Sequence, residues 1–233
     1  MTVAIQVNFR RPMPVFPLPE AVLLPHAVQP LHIIEPRYSQ LVNDVLDSAG
    51  QIAVASFARN GHTRGRRGLA RLRPAVCVGQ IIEHQPLGGG CQAIVLQGVC
   101  RARILEMFEP ADGRRYRLAR LRPLESVKAQ PPQMKEIREQ LRQMLSRPHL
   151  ARLRAVESVM QWFDRTEVST QALLELIGFA LLAEGELKYR LLAEANPVRR
   201  AVIIKNELAH LDDLVGRADR QSYRSWPKGL SWN

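Results

Sequence analysis

Very few residues in this chain have the type and spacing of a catalytic group. Ser225 and Lys228 match the S-x-x-K pattern, in which one helical turn lets a lysine amine activate a serine hydroxyl. Pro227 lies between them and interrupts a helix, so the pattern does not indicate a Ser–Lys active site. The chain also lacks the G-x-S-x-G, H-E-x-x-H, P-loop and G-x-G-x-x-G motifs. We therefore predict no catalytic residue and no enzymatic activity.

Metal-ligating residue types are present but scattered. Cys77, Cys91 and Cys100 contain no C-x-x-C pair, and no two of the six histidines have helical ligand spacing. We therefore predict no metal site and no cofactor. An odd number of cysteines, with no apolar segment of signal length before Arg10 and Arg11, indicates a reducing compartment. The predicted location is the cytoplasm, with free thiols.

Apolar segments of membrane-spanning length are also absent from the sequence. The nearest is 172–183, which is too short to cross a bilayer and is interrupted by Glu175. We predict no membrane association.

Arginine is the one chemically active residue type that clusters. The net charge is +11, and the chain up to Glu125 holds 16 arginines, no lysine and 9 acidic residues. Six of these arginines surround a glycine-containing segment that is predicted to form an exposed loop: Arg59, Arg64, Arg66, Arg67, Arg71 and Arg73. Guanidinium groups bind phosphates and carboxylates. We predict that this group binds nucleic acid or an acidic partner, the alternative being a solvated surface.

A second group of arginines borders a predicted strand: Arg114, Arg115, Arg117, Arg120 and Arg122. Residues two apart in a strand lie on one face, so Arg120 and Arg122 should be neighbours on the same side. Aromatic residues make up only 6% of the chain, and none lies within 59–73. The stacking surface typical of single-strand nucleic-acid binders is therefore missing there.

The elements that must position these groups divide the chain into two halves. Hydrophobic residues make up 46% and charged residues 24%, which excludes wholesale disorder. Alternation and glycine turns predict strands in the first half, with one helix starting at Pro36 and ending near Gly50. The predicted strands are 3–7, 51–57, 75–84, 92–99, 102–108 and 116–124. The triple glycine 88–90 is interpreted as a turn, because no helix follows it.

The second half is predicted to be helical and to pack as a bundle. The predicted helices are 133–146, 151–163, 169–183, 186–195 and 197–215. The last has the clearest start, with Asn196 as N-cap and Pro197 in the first turn. We predict a β-rich unit over 1–125, a helical bundle over 126–217, and a polar tail over 218–233 that contains Trp226 and Trp232.

Several segments resemble the Lon protease N-terminal domain family, the LON substrate-binding module. The strongest carry FPLP at 16–19, LLP at 23–25 and PLHIIEPRY at 30–38. VGQII at 78–82 and IVLQGVCRARI at 94–104 are also similar, and LKYRLLAEA at 187–195 fits more loosely. The resemblance covers about residues 13–215. The family often has glycine where this chain has His26, and the loop around Arg66 matches no family feature.

The resemblance implies an α+β fold, with a PUA-like β pseudo-barrel followed by an α-helical bundle. It also implies a substrate-recognition module. The ATPase of Lon needs a phosphate-binding loop and its peptidase needs a Ser–Lys pair in a further C-terminal domain, so the expectation is a stand-alone LON-domain protein. Within the motifs, Glu35, Arg37 and Tyr38 are interpreted as fixing a strand-to-helix junction. Gly79 and Gly98 are interpreted as bulges or close backbone approaches.

Two functional hypotheses follow. In the first, the chain binds unfolded or degron-like peptides, or a protein partner, in a groove between the β half and the bundle, in the service of protein quality control or proteolysis. In the second, the arginine-rich β half binds RNA or another nucleic acid. The oligomeric state stays open.

Overall fold

The computed structural model describes residues 5–19, 21–58, 70–124 and 130–220. Strands precede most of the helices. The strands are β1 (Met13–Leu18), β2 (Val28–Ile33), β3 (Gln51–Phe57), β4 (Leu72–Gly88), β5 (Cys91–Phe108) and β6 (Arg117–Pro123). The helices are α1 (Pro36–Leu46), α2 (Pro131–Leu145), α3 (Pro148–Ala151), α4 (Arg154–Phe163), α5 (Thr170–Leu181), α6 (Gly185–Ala193) and α7 (Pro197–Arg220). This order confirms the predicted α+β class.

Five strands pair in a closed ring. β5 pairs with both β4 and β6, and the order β4-β3-β1-β6 connects these two neighbours. β1 is parallel to β3, and the other pairs in the ring are antiparallel. All five strands contribute to one buried cluster of mostly small side chains: Met13, Val15, Ala53, Ala55, Val76, Val78, Ala102, Ala119 and Leu121. A ring of five strands is narrow, and alanine and valine at these positions allow it to close.

The long β4–β5 hairpin continues beyond the ring. β3 pairs with β4 only as far as Gln80, so the outer part of β4 pairs with β5 alone. β2 adds to the other side of β5, over Gln92 to Gln97. We call this part of the sheet the three-stranded extension. The turn at its tip is the predicted triple glycine, and all three glycines have positive φ.

The observed strands differ from the predicted ones in several places, and β1 and β2 were not among the predicted strands. Residues 92–99 and 102–108 form one continuous strand, β5, rather than two. β2 was not predicted, because Pro30 breaks the pattern of a strand; the structure places it in an edge strand, where proline is tolerated. Residues 5–8 form no strand, although Val7 packs against the interior of the ring. Residues 1–4 lie outside the described part.

Helix α1 forms as predicted. Pro36 occupies its first turn, and Tyr38, Leu41, Val42 and Val45 form its buried face. The backbone N–H of Gly50 donates to the carbonyl of Val45 at 2.9 Å. Gly50 has a φ of +66°, which turns the chain directly into β3.

Two helices of the second half, α5 and α7, begin at a residue whose side chain caps them. The Asn196 Oδ1 atom accepts from the backbone N–H of Val198 at 2.9 Å, and Ser169 Oγ accepts from that of Ala172 at 3.2 Å. The predicted helix 151–163 is interrupted, so α3 and α4 replace it. The last helix runs to Arg220, beyond the predicted 215.

Sheet and helices share a second, larger core. It contains Phe16, Ile52 and Val54 from the outside of the ring and buried residues of α1, α2 and α4 to α7, including Leu141 and Leu174. The two halves of the chain therefore pack as one hydrophobic unit rather than as separate cores.

Candidate functional site

The six predicted arginines have different environments. Arg59, Arg64, Arg66 and Arg67 lie outside the described residues. Arg71 is exposed and makes no ion pair with a residue that the structure describes.

Arg73 is bound within the molecule. Its guanidinium donates to both carboxylate oxygens of Glu186, at 2.7 and 3.0 Å, and lies 3.2 Å from the centre of the Tyr189 ring. Hydrogen bonding to Glu186 raises the pKa of Arg73. The Tyr189 hydroxyl in turn accepts from the backbone N–H of Ala75 at 2.9 Å. Arg73 therefore joins β4 to α6, and its predicted role in binding a partner remains a prediction.

A buried ionic cluster lies at the same boundary between strands and helices. Arg101 of β5 and Arg200 of α7 both bind Glu175 of α5, and all three side chains are almost fully buried. Arg200 Nε lies 3.1 Å from Glu175 Oε1. The guanidinium of Arg200 also donates to the carbonyls of Glu194 and Ala195, at 3.0 Å each. Glu175, which interrupts an apolar segment in the sequence, is thus the shared acceptor of two arginines.

These contacts bear on the predicted groove between the two halves. Where the described residues of the strands and helices meet, the space is filled by the larger core, the Arg73–Glu186 pair and the cluster around Glu175. These contacts close the described part of the boundary that they span, and a groove between the two halves remains a prediction. Two exposed surfaces lie on the β half.

One such surface is the outward face of the three-stranded extension. The register aligns Pro30 of β2, Val95 of β5 and Glu83 of β4 in one row, and His32, Ala93 and Gln85 in the next. All of these side chains are exposed or half-buried, whereas the residues between them in β5, such as Ile94, are buried on the opposite face. These residues line a shallow concavity of about 500 Å³. We call this surface the open face.

Exposed apolar side chains surround the open face. Val28 of β2 is 47% exposed, and Ile82 and Leu87 of β4 are 45% and 49% exposed. Ile82 and Leu87 lie at two of the three irregularities in the pairing of β4 with β5. Ile34, just after β2, is 71% exposed. Clustered apolar side chains at the surface mark interaction sites more often than isolated ones do.

A second feature is a pair of exposed arginines on the outside of the ring. Arg103 of β5 lies directly opposite Arg122 of β6, and both are exposed. Neither makes an ion pair with a described residue. Arg120, on the same face as Arg122 as predicted, is paired with Glu106 at 2.9 Å. Like charges directly opposite in a sheet are unfavourable without a counter-charge.

The LHIIEPRY segment acts as an architectural junction. Arg37 Nε donates to Glu35 Oε2 at 2.8 Å, and the Tyr38 ring packs edge-on against Phe16 with ring centres 4.7 Å apart. Both agree with the predicted roles of these residues.

The described part of the chain was also searched for metal-binding clusters and membrane-spanning helices. No cluster of three or more His, Cys, Asp or Glu that could hold a metal is found among residues 5–19, 21–58, 70–124 and 130–220. Cys77, Cys91 and Cys100 are all free thiols. In the same ranges no helix has both the length and the apolar composition needed to cross a bilayer.

Comparison with known proteins decides the family. The model of the ATP-dependent protease La (LON) substrate-binding domain matches residues 12–210, which is most of the chain. The chain belongs to the LON substrate-binding domain family. This agrees with the resemblance found in the sequence motifs, all of which lie within the matched range.

Solved structures show that the fold of this LON domain is shared. The N-terminal domain of a Mycobacterium avium complex Lon protease is similar with a TM-score of 0.64 and 18% identity, over 85% of this chain and 98% of that one. A Lon N-terminal domain protein from Xanthomonas campestris is similar with a TM-score of 0.56 and 18% identity, over 82% of this chain and 94% of that one. The comparison with curated proteins gave no match.

Proposed function

We propose that this LON domain is a non-catalytic recognition module that binds unfolded or degron-like peptide segments through the open face. The single observation that carries the proposal is an uncovered, partly apolar sheet surface in a chain whose family is defined by substrate binding. The cytoplasmic location, the link to protein quality control and the PUA-like description of the barrel remain predictions.

The composition of the open face suits a peptide with apolar side chains. Val28, Pro30 and Val95 supply apolar contact across two strands, and Glu83 and Gln85 supply polar groups beside them. The surface is shallow, so it gives little shape selection. Burying apolar area contributes about 25 cal/mol per Å², and a shallow surface buries little of it, so we expect a modest affinity. The limited shape selection predicts broad specificity.

The test measures peptide binding by fluorescence anisotropy, with a labelled unfolded peptide rich in leucine and valine. The double variant Val28→Ser and Leu87→Ser should bind about tenfold more weakly, because two exposed apolar contacts are lost. Binding should change little between low and near-physiological salt, because the contact is apolar.

A matched control comes from α7. Val202 and Leu214 are 47% and 45% exposed, so Val202→Ser with Leu214→Ser removes equal apolar surface far from the open face. This control should bind the peptide like the parent protein. Equal weakening in both double variants, or no binding by the parent at high micromolar concentration, would reject the proposal.

A second candidate function, RNA binding by the β half, is favoured by one observation. Arg103 and Arg122 are neighbouring, exposed and uncompensated by described residues. Guanidinium groups on a rigid sheet can neutralise phosphates, and the affinity then falls steeply with salt. The group of arginines predicted from the sequence to bind nucleic acid or an acidic partner belongs to the same hypothesis: Arg59, Arg64, Arg66, Arg67, Arg71 and Arg73.

The RNA hypothesis is tested with a labelled oligonucleotide at two salt concentrations. Charge reversal of Arg66 and Arg67, or Arg103→Gln with Arg122→Gln, should abolish binding that persists at physiological salt. The control Arg154→Gln with Arg199→Gln removes the same charge from exposed helical positions. Binding that is lost equally in the control would indicate only net-charge attraction, and unchanged affinity in both test variants would remove this function.

A further inference from the structure

A small cleft of about 260 Å³ lies beside the start of α1, on a different part of the β half from the open face. Its apolar lining comes from β1, from the ends of β3 and β4 and from the loop before β6: Val15, Pro17, Phe57, Ala70, Leu72 and Pro110. Tyr38 and Tyr116 also line it, together with Arg37, Arg115 and Arg117. We call it the Arg115 cleft. Its volume is below that of pockets for drug-sized ligands, and it suits one or two amino-acid side chains.

The three arginines of the cleft differ in how they are compensated. Arg37 is paired with Glu35, and Arg117 lies 3.3 Å from Glu109 and donates to the carbonyl of Ala70 at 2.8 Å. Arg115 is exposed, and its guanidinium makes no ion pair or hydrogen bond with any residue that the structure describes. The rim of the cleft therefore carries one positive charge, that of Arg115, which no described residue compensates.

The backbone holds Arg115 in place without using its side chain. The N–H of Arg115 donates to Gln40 Oε1 at 2.9 Å, and Gln40 Nε2 donates to the carbonyl of Gly113 at 3.1 Å. Gln40 of α1 therefore fixes this loop at Gly113 and at the backbone of Arg115 itself. A guanidinium on an anchored backbone is better ordered for binding than one on a free loop.

A neutral hydrogen-bond donor completes the cleft. The Tyr38 hydroxyl has no hydrogen-bond partner in the described part of the chain, whereas the Tyr116 hydroxyl donates to Asp44 at 2.7 Å. Burial raises the pKa of Tyr38, so its hydroxyl stays protonated at neutral pH and can donate. The cleft thus combines an apolar lining with a hydroxyl and a guanidinium that have no partner among the described residues.

We propose that the Arg115 cleft binds the C-terminal residue of a peptide whose last side chain is apolar. The apolar side chain would lie on Val15, Phe57 and Leu72, and the terminal carboxylate would bind Arg115 with the Tyr38 hydroxyl as a second donor. A C-terminal residue with an apolar side chain carries a negative carboxylate next to an apolar group, which matches a positive charge beside an apolar lining. A guanidinium binds a carboxylate in a bidentate geometry. The proposal rests on the peptide-recognition function but uses a different surface.

The test compares two labelled peptides that differ only at their ends. Both terminate in leucine, one as the free acid and one as the amide, and both are titrated by anisotropy at physiological salt. The acid should bind about tenfold more tightly, because only it has a charge for Arg115. In Arg115→Gln the acid should bind no better than the amide, and in Tyr38→Phe its affinity should fall a few-fold without loss of thermal stability.

Arg154→Gln serves as the matched control, since Arg154 is also exposed and makes no ion pair with a described residue. It should preserve the preference for the acid. Equal binding of acid and amide by the parent protein, or an equal loss in the Arg154 control, would overturn the cleft proposal. If Val28→Ser with Leu87→Ser removes the acid preference and Arg115→Gln does not, the open face holds the C-terminus; the peptide-binding function then stands and the cleft proposal falls.

Discussion

His26 shows how a single backbone conformation can matter more than a side chain. It has a φ of +64°, and its N–H donates to the carbonyl of Gly98 at 2.8 Å. The left-handed region costs a residue with a Cβ about 1–2 kcal/mol. The family resemblance places glycine here in many members, and the observed φ gives the physical reason.

We predict that His26→Gly raises the free energy of unfolding by about 0.5 kcal/mol, because relief of the positive φ outweighs the larger entropy of glycine in the unfolded chain. The measurement is chemical denaturation followed by circular dichroism. His32→Gly in β2, where the backbone is extended, should instead lower stability. Equal losses in both variants would contradict the explanation.

Gly98 is required for a different reason, because there is no space for a side chain next to its backbone. A Cβ built there would lie 2.1 Å from the carbonyl oxygen of Leu24 and 2.8 Å from its carbonyl carbon, and backbone atoms cannot yield as a flexible side chain can. We predict that Gly98→Ala lowers stability by about 3 kcal/mol or prevents folding. Gly89→Ala, strained by φ but in open space, should cost only about 1 kcal/mol in the same denaturation experiment.

Cys77 should make the free energy of unfolding decrease at alkaline pH. Burial raises the pKa of its thiol far above the ordinary value, so the folded protein keeps the proton that the unfolded chain releases. Its contribution is fully present below pH about 8.5 and declines by about 1.4 kcal/mol per pH unit above it. We predict this decline in urea denaturation between pH 7 and 10. Cys77→Ala should reduce the slope; an unchanged slope would show that other groups cause it.

At the scale of elements, the cluster around Glu175 joins one strand and two helices. It links β5, α5 and α7 through side chains that are removed from water. Removing two cations and an anion from water is costly, and their mutual attraction must offset this cost.

We predict that Glu175→Gln lowers the free energy of unfolding by about 3–5 kcal/mol, because two buried guanidinium groups lose their carboxylate. Adding Arg101→Met should recover part of this loss, since one unpaired charge is removed, and the double-mutant cycle should show coupling of about 1 kcal/mol or more. Asp219→Asn, which breaks the exposed Arg152–Asp219 pair, should cost at most about 0.5 kcal/mol. Additive effects of the two buried substitutions would contradict a shared cluster.

At the scale of the whole molecule, strands and helices depend on one core. The larger hydrophobic cluster includes Ile52 and Leu96 from the sheet as well as Leu174 and Ile204 from the helices. Neither half can bury these side chains without the other.

We predict that the halves 1–125 and 126–217 unfold together in a single cooperative transition. Hydrogen exchange in increasing guanidinium should show β4 and α5 losing protection at the same denaturant concentration, because they share a core. Trp162 fluorescence, which reports on α4 once Trp226 and Trp232 are replaced by phenylalanine, should follow the same curve as the circular dichroism signal. Two separated transitions would show that the halves fold independently.

The sequence by itself determined the features that depend on near neighbours. Pro36 and Asn196 at the starts of helices, the turn at 88–90 and the face shared by Arg120 and Arg122 were predictable, because each arises from residues within one turn or one strand. The motif around LHIIEPRY also determined the family and, through it, the α+β fold. β2 was missed, since Pro30 obscures an edge strand whose position depends on pairing with β5.

Only the tertiary structure decided which charged side chains are paired within the molecule and which can face a ligand. Arg73 is bound by a carboxylate 113 residues away, and Glu175 by an arginine 74 residues away, and no local pattern reports contacts of that separation. The same packing leaves Arg115, Arg103 and Arg122 without a counter-charge among the described residues. Whether an arginine stabilises the fold or faces a ligand depends on which distant element packs against it, because burial and ion pairing are properties of the assembled chain.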